Sequence, residues 1–191
     1  RARRVCIRHR RRTVRSWLRK LHDQLGLATI LVTHDQEEAL DVADRLVVMQ
    51  NGRIVQDAGA ETLEARPATP FVMEFLGETL NFNGAVTAGI FQPELAHVAA
   101  FPVGGIGDGP ATALIRPHAA RLLPEAGGAT GRRIGSRYGL ARLLVDLNGR
   151  VVEILVPEEA GPIGSGVKLD ISGACLFRDG RLLKKRYESN G

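Results

Sequence analysis

The sequence predicts an α/β segment reaching to about Gly77, followed by a small all-β barrel or sandwich. Three observations carry that expectation. Up to Gly77, apolar β-branched runs alternate with runs at helical spacing, the texture of an α/β domain. Beyond it the apolar segments are short and punctuated by glycine and proline, with no helix-length amphipathic pattern. Asn51-Gly52 and Asn148-Gly149 each sit between two apolar runs, the strongest short-range hairpin signal.

Taken in order, Val14, Trp17, Leu18, Leu21 and Leu25 recur at helical spacing, and Gly26 stands where such a helix would stop. Ala28 to Thr33 is almost without polar residues and reads as a strand covered on both faces, as in a parallel sheet. Asp35-x-x-Glu38 opens a helix over roughly Gln36 to Ala43. The segment "RLVVMQ" is the next strand, and "RIVQD" returns after Asn51-Gly52. A short helix in "GAETLEARP" ends at Pro67. In "TPFVMEFLG", Thr69 caps, Pro70 takes the first helical position and Gly77 stops the turn. The β segments then run through "GAVTAGIF", "HVAAFPV", "ATALIRP", "LARLLVDL", "RVVEILVP", "GVKLDIS" and "ACLF".

The chain has 191 residues, enough for one domain or two small ones, and 44% hydrophobic content suits an ordinary core. No apolar run approaches the roughly 20 residues of a membrane span, and no apolar leader is seen. Cys6 and Cys175 lie far apart, which fits a reducing compartment better than a disulfide. The net charge of +5 is unevenly placed: residues 1–20 hold ten Lys or Arg and no acid, leaving 16 basic against 21 acidic groups in the rest. The arm could touch nucleic acid or anionic lipid, or be a solvated end.

His34 lies between the apolar run and the capped acidic helix, a joint where chains place groups that meet a ligand. It could equally fill the joint. Asp35 can accept backbone N–H bonds at the helix start, while Glu37, Glu38 and Asp41 suit the positive end of the helix dipole. Arg116 and His118 flank Pro117 and could meet an oxyanion, or Arg116 could bridge strands. Arg132, Arg133, Arg137 and Arg142 form a second basic cluster around glycines, read as a solvated loop.

At "VTHDQEEALDVADRLVVMQNGRIVQ" the sequence resembles the ATP-binding subunits of ABC-type importers, where this stretch holds the switch histidine. "RPATPFVMEFLGE" is similar to the end of that ATPase domain in the subgroup serving sulfate and thiosulfate. "ALIRPHAARLL" is similar to a recurring motif of the oligonucleotide-binding-like regulatory domain that follows. The resemblance implies a fold in two parts. An α/β remnant of a P-loop ABC ATPase domain would span 13–77, with an OB-like barrel over 78–186, a basic arm over 1–12 and a tail over 187–191. It implies that His34 bonds the γ-phosphate of ATP and helps orient the attacking water, with Mg2+ as the second cofactor in the intact subunit. It implies membrane-spanning permease subunits and a second copy of the ATPase subunit as partners, a periplasmic solute-binding protein acting indirectly, and a place on the cytoplasmic side of the membrane.

Some parts of the family pattern are missing. The sequence has no Gly-x-x-x-x-Gly-Lys-Ser/Thr phosphate loop, no "LSGGQ"-type signature and no apolar strand ending in Asp-Glu. "GGIGDGPAT" is glycine-rich but lacks the lysine. The expectation is therefore a C-terminal piece of a longer ATPase, inactive by itself. Where the family shows an "ALDAKVR"-like segment, "RARRVCIRHRRR" stands instead, as an out-of-frame reading of a GC-rich gene would give. An uninterrupted coding frame with no family-like codons in the alternative frame would sink that idea. Two rivals remain: a regulatory or oxyanion-binding module without ATPase activity, and a nucleic-acid-binding OB-like protein. Aromatic residues make up only 5% of the chain, few for base stacking, so no nucleic-acid partner is expected.

Overall fold

The computed structural model describes residues 28–158 and 165–184. The basic arm, the helix expected over Val14 to Leu25 and the tail lie outside the described residues. The chain divides into two compact units, Arg1–Glu64 and Ala65–Gly191.

In the first unit, helix α1 (Gln36–Val42) starts where Asp35 takes the extended backbone of an N-cap and its side chain accepts the Glu38 N–H. Strands β1 (Leu46–Gln50) and β2 (Arg53–Ala58) form an antiparallel ribbon. Asn51 and Gly52 join them with φ of 51° and 72°, the pair of left-handed residues that a type I′ turn requires. Leu46 and Val48 point inward, whereas Val47, Met49 and Ile54 are exposed. Outside the ribbon's turn, Arg45 grips Asp57 through Nε (2.6 Å) and Nη2 (3.1 Å). Helix α2 (Ala60–Ala65) follows and buries Leu63.

The doubly covered strand expected over Ala28 to Thr33 is not observed. The segment carries no regular secondary structure and pairs with no strand among the described residues. Ile30 is 92% and Val32 91% exposed. The physical reason is that a central parallel strand exists only between flanking strands and under covering helices. The described residues of this unit offer one two-stranded ribbon and two short helices.

The second unit opens with helix α3 (Pro70–Phe75), capped by the Thr69 hydroxyl on the Val72 N–H and begun by proline. The rest is β: a six-stranded and a four-stranded sheet. The six-stranded sheet is built from β3 (Leu80–Thr87), β4 (Ile90–Pro93), β5 (Phe101–Pro102), β6 (Gly109–Ile115), β11 (Cys175–Arg178) and β12 (Arg181–Lys184). Its order is β12-β11-β6-β3-β4-β5. The four-stranded sheet, in order β10-β7-β8-β9, uses β7 (Arg121–Arg137), β8 (Leu140–Asp146), β9 (Val151–Pro157) and β10 (Ser165–Asp170). All named pairs are antiparallel.

Strict alternation fixes the inner faces. Ala141, Leu143 and Val145 of β8 and Val152, Ile154 and Val156 of β9 are buried, and their neighbours along each strand are not. These side chains meet Phe82, Val86 and Phe91 from the six-stranded sheet in one core. Full burial of a leucine or phenylalanine stabilises by about 1.5–3 kcal/mol, so this layer dominates the unit. Met73 of α3 joins a second, smaller cluster with Leu114, Cys175 and Phe177.

The arginine–glycine region expected to be a loop is instead the long strand β7. Its glycines read as breakers, yet they permit close approach. A Cβ on Gly128 would lie 2.5 Å from the Val167 carbonyl oxygen of β10.

Candidate functional site

The joint that carries His34 is held from both sides by hydrogen bonds. Thr33 Oγ1 accepts the Asp35 N–H (3.0 Å) and donates to Glu38 Oε2 (2.6 Å), and Asp35 Oδ1 accepts the Glu38 N–H (3.1 Å). The backbone on each side of His34 is therefore tied to the first turn of α1, and the imidazole projects from the joint exposed to solvent. Sequence reasoning found the cap but missed Thr33. A standard capping box sends the Glu side chain back to the N-cap N–H, whereas here the threonine hydroxyl stands between the two.

Chemically, an exposed imidazole on a braced turn can donate to or accept from an anionic or aqueous ligand. It cannot cradle a phosphate chain alone. The glycine loop and its lysine are not in this sequence, and among the described residues no group of three His, Cys, Asp or Glu could hold a metal ion.

Arg116 and His118 lie in the second unit, at the end of β6, and the two differ in setting. The Arg116 side chain is buried, and its Nη1 donates to the carbonyls of Gly77 (2.7 Å) and Glu78 (3.2 Å). It thus ties the end of α3 to the strand end. His118 is exposed.

Of the clustered arginines, Arg132, Arg133 and Arg137 lie on β7 and Arg142 on β8, and Arg133, Arg137 and Arg142 each stand against an acid. Arg142 binds Glu153 through Nε (2.7 Å) and Nη2 (2.9 Å), and the hydrogen bond from that guanidinium holds the Glu153 carboxyl below its ordinary range. Arg133 pairs with Glu158 and Ser136, and Arg137 reaches Glu78 (3.4 Å) while lying over the Tyr138 ring.

No protein-family model matches the chain. Individual relatives do. The chain is 38% identical over 168 residues to the sulfate/thiosulfate import ATP-binding protein CysA of Xanthomonas campestris pv. campestris, covering 85% of this chain and 48% of that protein. The protein of the same name from Burkholderia mallei is 39% identical over 171 residues, 86% of this chain and 47% of the relative. In Chromobacterium violaceum, CysA 1 is 35% identical over 182 residues, 87% and 50% respectively. The chain is a homologue of the sulfate/thiosulfate import ATP-binding proteins of ABC importers. It spans about half the length of these homologues. Among its described residues no helix is long and apolar enough to cross a membrane.

Proposed function

We propose that the chain carries the part of an ABC importer ATPase that follows the phosphate-binding motifs, and that the importer serves sulfate or thiosulfate. The observation that supports this best is the similarity to sulfate/thiosulfate import ATP-binding proteins over 85–87% of the chain but only 47–50% of theirs. The exposed apolar run Ile30–Val32 supports it as well, because such a run is stable only inside a larger sheet.

In this reading His34 is the switch histidine. Thr33, Asp35 and Glu38 hold its backbone, so the imidazole can bond a γ-phosphate oxygen or the attacking water without first losing its own freedom. ATP and Mg2+ act in the intact subunit, where the phosphate loop and the carboxylate that holds the metal are not in this sequence. Residues 13–77 belong to the ATPase domain and 78–186 to an OB-like regulatory domain. The partners are the permease subunits and a second copy of the ATPase subunit, with a solute-binding protein acting indirectly, and the place of action is the cytoplasmic face of the membrane. Arg116 engages two carbonyls, which weighs against the rival reading of a stand-alone oxyanion module.

Two measurements test the proposal. The 191-residue chain alone should show no ATP turnover; robust hydrolysis would refute it. Grafted in place of the matching half of the Xanthomonas campestris relative, it should restore sulfate uptake, and His34→Ala in that chimera should abolish ATP hydrolysis. A chimera that works equally well without His34 would remove the histidine from the mechanism.

A further inference from the structure

The dipeptide Asn-Gly occurs four times, at Asn51, Asn83, Asn148 and Asn190. Asn190 lies outside the described residues, and the other three stand in different settings. Such a pair carries a latent reaction. The glycine backbone nitrogen, once it has lost its proton, attacks the asparagine side-chain Cγ, and glycine has no side chain to obstruct the approach. A C–N bond forms, the side-chain nitrogen leaves as ammonia, and water opens the resulting five-membered imide to aspartate or isoaspartate. Asparagine counts among the heat-labile residues for this reason.

Asn51 and Gly52 form the turn between β1 and β2, and both are exposed. A Cβ on Gly52 would meet nothing within 4 Å, and among the described residues no group accepts the Gly52 N–H. The ribbon that carries this turn is a sheet of only two strands, with a register shift between Val48 and Met49. A two-stranded hairpin opens at small cost, which frees the nitrogen for attack.

Asn148 and Gly149 form a turn with φ of 58° and 97°, but here the nitrogen is occupied. The Gly149 N–H donates to Asp146 Oδ1 at 2.7 Å, and the Leu147 N–H donates to the Arg150 carbonyl at 2.9 Å. A carboxylate that holds the proton also opposes the negative charge the nitrogen must acquire. Strands β8 and β9 belong to a four-stranded sheet whose inner face lies in the main core. Asn83 and Gly84 lie within β3, paired with β4 on one side and β6 on the other. Gly84 is buried, and Asn83 Oδ1 accepts the Thr112 hydroxyl at 3.2 Å.

We infer that Asn51 is a site of spontaneous deamidation, at which the exposed β1–β2 turn converts to aspartyl and isoaspartyl forms while Asn83 and Asn148 are protected by their hydrogen bonds. The aspartyl form keeps the turn, because Asp-Gly suits the same pair of left-handed residues. The isoaspartyl form routes the backbone through the side-chain carbon. That extra atom breaks the two-residue turn, so the ribbon loses the element that sets its register.

Peptide mapping of the whole chain by mass spectrometry, after incubation at mildly alkaline pH, tests the site. Trypsin releases Asn51 in Leu46–Arg53 and Asn148 in Leu143–Arg150, and each conversion replaces an amide nitrogen by a heavier hydroxyl. In the folded chain Asn51 should convert roughly ten-fold faster than Asn148, through the easier opening of its turn. In guanidinium chloride, where only the shared Asn-Gly-Arg sequence remains, the two should convert at similar rates. Asp146→Ala should speed conversion at Asn148 and leave Asn51 unchanged. Comparable rates at the two sites in the folded chain, or a difference that persists in denaturant, overturns the inference. An Asn148 rate that does not respond to Asp146→Ala overturns the protection assigned to that carboxylate.

Discussion

The Thr33 hydroxyl donates to Glu38 Oε2 at 2.6 Å while its oxygen accepts the Asp35 N–H at 3.0 Å, so one side chain braces both ends of the turn at His34. Thr33→Val keeps the shape and removes both bonds. The expected result is faster exchange of the Asp35 and Glu38 amides and a broadened His34 resonance, with Thr33→Ser restoring both. Asp35→Ala should cost α1 about 1 kcal/mol, the usual value of an N-cap, read from exchange of the same helix amides. Unchanged exchange in both variants would mean that the joint is set by backbone alone.

Gly84 occupies a point where two strands leave no room. A Cβ there would stand 2.3 Å from the Gln92 carbonyl oxygen and 2.7 Å from the Phe91 ring, and backbone cannot swing aside as a long side chain can. Gly84→Ala should therefore destabilise the second unit by about 1–3 kcal/mol, the range of core overpacking. Urea unfolding followed by far-ultraviolet circular dichroism would read it. Gly89, with nothing within 4 Å of its Cβ position, gives a contrast in which only its φ of +76° resists a side chain.

How much of this was legible in the sequence depended on whether the cause was local. The Asp35 and Thr69 caps, Pro70 at a helix start and both Asn-Gly turns were found because each depends on a few neighbouring residues. Three further hairpin turns, Ala88-Gly89, Tyr138-Gly139 and Asp179-Gly180, were not found. Asp179-Gly180 carries the same local signal as Asn-Gly and was overlooked, whereas at Ala88 and Tyr138 only the following glycine signals the turn. β7 was missed because Gly128 is there for β10, a strand about 40 residues away in sequence. The apolar run before His34 misled in the opposite sense: its composition describes a buried strand, whereas burial depends on neighbours that the described residues do not include. At the candidate site, His34 drew notice from its place between an apolar run and a capped helix. The Thr33 brace was not, since a threonine hydroxyl reaching five residues along the chain has no spacing rule.

Arg116 gives a prediction that separates two roles. Its Nη1 satisfies the Gly77 and Glu78 carbonyls, and the guanidinium lies 3.3 Å from where a Gly77 Cβ would be. Arg116→Ala leaves those carbonyls without that donor and should cost about 1–3 kcal/mol of stability. Calorimetry with sulfate should show no binding that depends on this residue. Sulfate binding in the wild type that is lost in a folded Arg116→Lys variant would instead assign it to an anion.

The Arg142–Glu153 pair predicts how the second unit responds to acid. Hydrogen bonding from Arg142 holds the Glu153 carboxyl below its unfolded value, so the folded state binds the proton less readily than the unfolded chain. Stability from the pair is therefore complete above the unfolded carboxylate range and is lost as pH falls through the lower, folded value. Both side chains are 36% exposed, which screens the effect and keeps it modest. Thermal unfolding from pH 7 down to pH 3 should show a smaller loss of Tm in Glu153→Gln than in the wild type. The two curves should converge at the acid end and separate near neutrality, with the variant lower. Parallel curves would show that the pair contributes no proton linkage, whatever its geometry.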